Sequence, residues 1–301
     1  MAMANVALGV IVLNRVDKLE RLLNSAIGKC INIVYIADNG KPSDEKEKLY
    51  TKDYPFELDV LQLDYDIGLG RCRNQIVDRF DEDYLLMADS DHELSNNIEI
   101  LLDILQVKDS VGGVAGSLIE PADGRIWQSA KDFRMVDGIL AKGNAFQSKE
   151  IEIIDGNPFA AFDFIPYPTL YKAECLEDYA WDNNIKINFA HDDFYVHHWR
   201  NTDWKFGIAP EVCFRHYPGG NSEYASRKRD STKRKQSKEY FLSKWSLRDF
   251  RTDGGYWYDT RYRRRSRPLY ERAKETYSTG GLVHLVKSGI SKCKYNIKKQ
   301  M

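Results

Sequence analysis

The sequence predicts an α/β protein built on a mostly parallel, doubly wound sheet. Three observations carry this expectation: two continuous apolar runs near the N-terminus, amphipathic helical segments between such runs, and a further apolar strand that leads straight into Asp89-Ser90-Asp91. Residues 6–13 (VALGVIVL) are apolar throughout, the pattern of a central strand covered on both faces. Val16, Leu19, Leu22, Leu23 and Ile27 recur at three- and four-residue steps and predict a helix. Residues 31–37 form a second strand ending at Asp38-Asn39-Gly40, and 43–50 a polar helix. A third strand follows at 56–63, a helix at 70–80, a fourth strand at 84–88 and a helix at 96–105. Strand alternating with helix is the grammar of a wound sheet. Ligands of such sheets gather beyond the carboxyl ends of the strands, so Asp38, Gly68 and Asp89 are expected to line one crevice.

Past residue 110 the pattern predicts strands at 111–119 and 139–145, a short helix at 169–179, and a strand-turn-strand over 204–214 around Pro210. The charged run 227–238 reads as a loop or a solvated helix start. With 301 residues and 43% hydrophobic content, the chain can bury one large core plus an appended segment. Five cysteines without Cys-x-x-Cys spacing indicate neither a disulfide frame nor a zinc knuckle. No 18-residue apolar run occurs, and the N-terminus lacks a signal-peptide pattern, so a cytoplasmic, non-spanning protein is expected. The net charge of −1 conceals a division: from Gly219 onward 22 Lys and Arg face 8 Asp and Glu. An acidic domain over 1–218 with a basic extension over 219–301 is the expected organisation.

The chemistry is expected at the strand ends. Alternation projects Asp89 and Asp91 to one face, where they can share a hard cation whose shell the oxygens of a nucleotide-sugar complete. Asp66-Ile67-Gly68-Leu69-Gly70 places two glycines before a helix, where backbone N–H groups can approach phosphate; Arg71, Arg73 and Asn74 add donors. Asp38 is placed to accept hydrogen bonds from a base or ribose, or to cap a turn. His191-Asp192-Asp193 opens a helix, and a carboxylate there can act as general base or as an N-cap. His216, at the end of an apolar strand, can complete a shell begun by Asp91, its imidazole suiting Mn²⁺ better than Mg²⁺. His197 and His198 read as packing or surface residues.

In order and spacing, VIVLNR, IADNG, GLGRCRNQ, LLMADSD and FAHDDFYVHHWRNTDWKFGIAPEVCFRHYPGG resemble the family 2 glycosyltransferases of the GT-A fold, over roughly residues 5–250. The resemblance implies a GT-A, Rossmann-like mostly parallel sheet flanked by helices, and inverting transfer from a UDP- or GDP-sugar with Mn²⁺ or Mg²⁺. It implies a donor site with Asn14, Arg15, Asp38, Gly68, Arg71, Asn74, Asp89 and Ser90, and a metal held by Asp89, Asp91 and His216. Asp192 matches the family's catalytic Asp. The Glu that usually precedes it is His191 here, which leaves Asp193 as a second candidate base. The acceptor implied is a glycan or lipid-linked glycan.

Residues 280–299 place Leu282, Val286, Ile290, Cys293 and Ile297 on one helical stripe among lysines, which suits either an anionic membrane surface or packing on protein. The Arg-rich stretch 261–267 comes with no nucleic-acid fold signature. Two other readings share this scaffold. A sugar-1-phosphate nucleotidyltransferase needs a glycine-rich loop where Leu13-Asn14-Arg15-Val16-Asp17 stands; a non-catalytic nucleotide-sugar or carbohydrate-binding module would show no donor turnover.

Overall fold

The computed structural model describes residues 5–122, 124–143, 149–220 and 230–252, all of which fall in one unit. The segments 261–267 and 280–299 lie outside the described residues. The first half alternates as expected: β1 (Val6–Val12), α1 (Val16–Ala26), β2 (Ile33–Asp38), α2 (Asp44–Tyr50), β3 (Glu57–Gln62), α3 (Leu69–Val77) and β4 (Tyr84–Asp89). Then come β5 (His92–Glu93), α4 (Glu99–Val107), β6 (Val111–Glu120), β7 (Arg125–Trp127), β8 (Asp132–Val136) and β9 (Ile139–Gly143). The chain continues through β10 (Glu152–Ile154), β11 (Asn157–Phe162), β12 (Thr169–Lys172), α5 (Ala173–Asp178), α6 (Ala190–Asn201) and β13 (Lys205–His216). It closes with α7 (Ser231–Lys244) and β14 (Asp249–Thr252).

The large sheet runs β10-β11-β13-β6-β12-β4-β1-β2-β3, with β5 beside β13 and β7 beside β6. Strands β3, β2, β1 and β4 are mutually parallel, as are β6 and β13; β12 is antiparallel to both β4 and β6. Register brings the functional ends level, because Val12 pairs with Asp38 and Ile11 with Asp89. Across the sheet Ile119 pairs with Arg215, so Glu120 and His216 follow side by side at the same carboxyl edge. A smaller sheet, β14-β9-β8, stands apart.

The apolar periodicity explains which faces are covered. Leu19, Leu22 and Leu23 of α1 and Leu101, Ile104 and Leu105 of α4 are buried in one core; Cys72 and Ile76 of α3, Cys175 of α5, and Phe194 and Tyr195 of α6 are buried in the other. Each fully buried Leu or Ile contributes about 1.5–3 kcal/mol relative to exposure. Ile27 falls outside the helix and is 48% exposed, since α1 ends at Ala26.

Two expectations are corrected. Residues 169–179 do not form one helix: Thr169 to Tyr171 pair with β4 on one side and β6 on the other before α5 begins. Filling a slot between two strands outweighs the local helical signal. Nor does the chain turn at Pro210, because β13 is one long strand whose register with β6 shifts between Ile208 and Cys213. Proline donates no ladder bond, and a bulge accommodates it; its carbonyl accepts from Ser117 Oγ at 3.1 Å. Among the described residues no helix is long and apolar enough to cross a membrane.

Candidate functional site

At the carboxyl edge of the sheet, Arg15, Asp91, Glu120 and His216 meet. Arg15, at the N-cap of α1, donates from Nη1 to Asp91 Oδ2 at 2.5 Å, and His216 Nε2 lies 3.7 Å from the same oxygen. His216 Nδ1 faces Glu120 Oε1 at 3.3 Å, and Glu120 is held in turn by Arg125 Nη2 at 2.8 Å. Burial alone would raise the Asp91 carboxyl, but His216 and the Arg15 guanidinium outweigh it and hold that carboxyl well below the usual range. Burial would likewise lower His216, yet Asp91 and Glu120 on its two sides push it up to about 9. The ring is therefore an imidazolium at neutral pH, and an ion binding at Nε2 would displace a proton.

Asp91, His92 and His216 offer ligand atoms within 4.8 Å of one another. His92 is the weakest of the three, because its Nδ1 accepts from the Asp89 backbone N–H at 3.1 Å, which leaves the hydrogen of the neutral ring on Nε2. Burial keeps that ring neutral against the pull of Asp89 and Asp91. Asp91 remains as a carboxylate donor, and His216 offers a lone pair at Nε2 once the proton there is displaced. One carboxylate and one imidazole are a donor set that suits Mn²⁺ or Mg²⁺ if substrate oxygens complete the shell. Asp89 falls outside this group: β4 ends at Asp89, the chain turns, and Asp89 is exposed while Asp91 is buried. The strand ends two residues short of Asp91, so strand alternation does not align the two carboxylates.

A second cluster surrounds Arg73 of α3, which is 2% exposed. Its guanidinium lies over the rings of Tyr167 and Trp181, and its Nη2 is 3.1 Å from His191 Nε2. Burial, with help from Arg73 and Lys142, keeps His191 neutral, so the residue standing where an acid was expected brings no charge to balance the guanidinium. Nε and Nη1 of Arg73 and Nδ1 of His191 are buried without a hydrogen-bond partner among the described residues. Such orphaned groups cost about 1–3 kcal/mol each.

The two candidate bases of α6 are placed very differently. Asp193 is fully buried and spent: Tyr179 Oη donates to it at 2.5 Å, Trp245 Nε1 at 2.8 Å and Lys244 Nζ at 2.9 Å. These bonds fasten α7 to α6. Asp192 keeps partial exposure, and its Oδ1 accepts from Lys142 Nζ of β9, a lysine lying over Phe164. His197 stacks on Tyr179 and His198 is buried, so both pack as expected.

Several of the other expected donor residues have partners within the chain. Asp38 is buried, its oxygens accepting from Lys46 Nζ at 2.6 Å, Gly40 N at 2.9 Å and the Tyr50 hydroxyl at 2.8 Å. Gly68 has φ +107°, and a Cβ there would come within 2.9 Å of Lys186 Cα; a Cβ on Gly70 would strike the Asp182 carbonyl. The space beside both glycines is thus filled by the chain's own loop. Asn74 clasps that loop, donating to the Trp181 carbonyl at 2.5 Å and accepting from Trp181 N at 3.0 Å. Arg71 is exposed, Asn14 is half-buried between β1 and α1, and Ser90 is buried with its hydroxyl unpartnered among the described residues. Sequence reasoning missed Glu120, Arg125, Lys142 and His92. No local pattern singles them out, because only strand register and loop path bring them to the site.

No family model matches the chain, and no curated protein does. Among solved structures, S. aureus TarS (residues 1–349) in complex with UDP superposes with a TM-score of 0.50 at 13% identity, over 90% of this chain and 78% of that one. Its complex with UDP-GlcNAc gives a TM-score of 0.51 at 13% identity over 80% and 73%. The likeness is one of fold: a large mostly parallel sheet flanked by helices, the GT-A glycosyltransferase fold.

Proposed function

We propose that this protein is a metal-dependent, inverting glycosyltransferase that moves a sugar from a UDP- or GDP-sugar to a hydroxyl of a glycan or lipid-linked glycan. The observation that carries this reading is the meeting of Asp91, His216 and Arg15 at the carboxyl edge of a GT-A sheet, where ligands of wound sheets collect. The TarS complexes, whose chain shares this fold, hold UDP and UDP-GlcNAc.

Asp91 and His216 would hold a divalent ion, which supplies positive charge to the departing diphosphate. Arg15, already at this edge, adds a guanidinium suited to phosphate oxygens. Arg73, with its unpartnered donors, suits further donor oxygens, and exposed Asp89 suits ribose or sugar hydroxyls. Asp38, Gly68 and Asn74 shape the walls of the site rather than offering free groups to the donor. Asp192 is the general base: with Oδ1 on Lys142, Oδ2 is left to accept the acceptor's hydroxyl proton as the new glycosidic bond forms and the bond to the diphosphate breaks.

A panel of UDP- and GDP-sugars tested by thermal shift with and without Mn²⁺ checks this reading, because a ligand of the folded state raises the melting temperature. The expected result is a Mn²⁺-dependent shift with one donor, nucleoside diphosphate released from that donor, and loss of release in Asp192→Asn. Absence of both shift and release across the panel rejects the proposal. The basic tail is proposed to bring the enzyme to anionic membranes; equal liposome flotation of the full chain and a 1–279 truncation rejects that part alone.

A further inference from the structure

We propose that Glu120 is a positioning residue of the ion site, resting on the reading above: it grips His216 at Nδ1 so that Nε2 is turned toward Asp91. Three features place it there. Parallel pairing of β6 with β13 puts Glu120 and His216 one step beyond the Ile119–Arg215 pair, so the two side chains are neighbours by register. Antiparallel pairing of β6 with β7 sets Arg125 directly opposite Glu120, and the Arg125 Nη2 bond at 2.8 Å anchors Oε1, the same carboxylate oxygen that faces His216 Nδ1. The carboxylate is also buried, which makes its single contact with Nδ1 stronger than the same contact in water.

The consequence for His216 is chemical. When a binding ion displaces the Nε2 proton, a ring still donating Nδ1–H to a carboxylate has its lone pair on Nε2, and the carboxylate raises the basicity of that nitrogen. Without Glu120 the imidazole is free to change tautomer or rotate about χ2, and the Nε2 lone pair no longer stays beside Asp91. Glu120 would touch neither ion nor donor; it acts through His216.

The test is Mn²⁺ binding followed by electron paramagnetic resonance with UDP or GDP present, on wild type, Glu120→Gln, Glu120→Ala, His216→Ala and the double variant Glu120→Ala/His216→Ala. Circular dichroism and melting curves confirm that each is folded. Glu120→Ala is expected to weaken Mn²⁺ about 10- to 100-fold, the range for removing a carboxylate behind a histidine ligand, and Glu120→Gln to weaken it less because the amide oxygen still accepts from Nδ1. In the His216→Ala background the Glu120 change is expected to add no further loss, which a merely structural clamp on the β6–β7 hairpin would not reproduce. Wild-type Mn²⁺ affinity in Glu120→Ala, or an equal loss with and without His216, overturns the positioning role while leaving the glycosyltransferase reading intact. A wild type that binds no Mn²⁺ overturns the ion site itself.

Discussion

Asp192 and Asp193 are adjacent in sequence, yet their surroundings predict opposite failures when each is changed to asparagine. Asp193 is a fully buried carboxylate that accepts from Tyr179, Trp245 and Lys244. In the Asp193→Asn variant the amide would keep one acceptor oxygen but turn an NH₂ toward donors and leave Lys244 facing a neutral partner. Breaking one side of a buried ion pair costs about 3–5 kcal/mol. Lys244 retains Asp182 at 2.7 Å, so the lower end, about 3 kcal/mol, is expected for Asp193→Asn. At roughly 2–4 °C per kcal/mol for a body of this size, the melting temperature should fall by roughly 6–12 °C. Asp192→Asn keeps an amide oxygen but loses the charge of its contact with Lys142, worth about 1.5–3 kcal/mol, and should melt closer to wild type than Asp193→Asn while losing transfer. Urea denaturation of both variants, with donor turnover measured well below either melting point, separates the two roles. An Asp193→Asn protein as stable as wild type but inactive would move the base to Asp193 and overturn the assignment.

Replacing Arg15 by Gln removes the cation that now neutralises Asp91, so Mn²⁺ affinity without nucleotide should rise while donor affinity falls; a parallel fall in both, measured by calorimetry, contradicts this. Gly68→Ala places a methyl 2.9 Å from Lys186 Cα at φ +107°, which should lower stability by about 1–3 kcal/mol; an unchanged urea midpoint is the contrary result. Burial lowers His198 to about 4, against roughly 6.5 when unfolded. The unfolded chain therefore binds the proton first, and the stability owed to this histidine is complete above about pH 6.5 and lost as pH falls toward about 4. That loss is about 3 kcal/mol by linkage. His198→Gln should shed this part of the acid sensitivity when stability is compared at about pH 7 and about pH 4.5, and an unchanged difference between the two conditions counts against it.

Much of the first half of the fold was legible in local pattern. Apolar runs mark β1, β2 and β4 because a strand covered on both faces needs apolar residues at every position, and the three-to-four spacing of Leu19, Leu22 and Leu23 marks a helix resting on that sheet. Beyond residue 110 the strands expected at 111–119 and from 139 are β6 and β9, but around them the signal fails for physical reasons. Residues 169–172 are strand only because β4 and β6 leave a slot between them, and β7, β8, β10 and β11 are short strands whose partners define them.

Residue pattern was enough to specify the class of sheet, the edge where its strands end, and which acids and histidines could stand there: Asp89, Asp91, Asp192, Asp193 and His216. Their duties were assigned by packing in three dimensions. It buried Asp38 under Lys46 and Tyr50, spent Asp193 on Lys244 and Trp245, left Asp192 paired with Lys142, and set Glu120 behind His216. The reason is range: helix and strand periods record what a residue's near neighbours require, whereas desolvation and charge pairing act between side chains far apart in the chain, and the path of the folded backbone determines which of them meet.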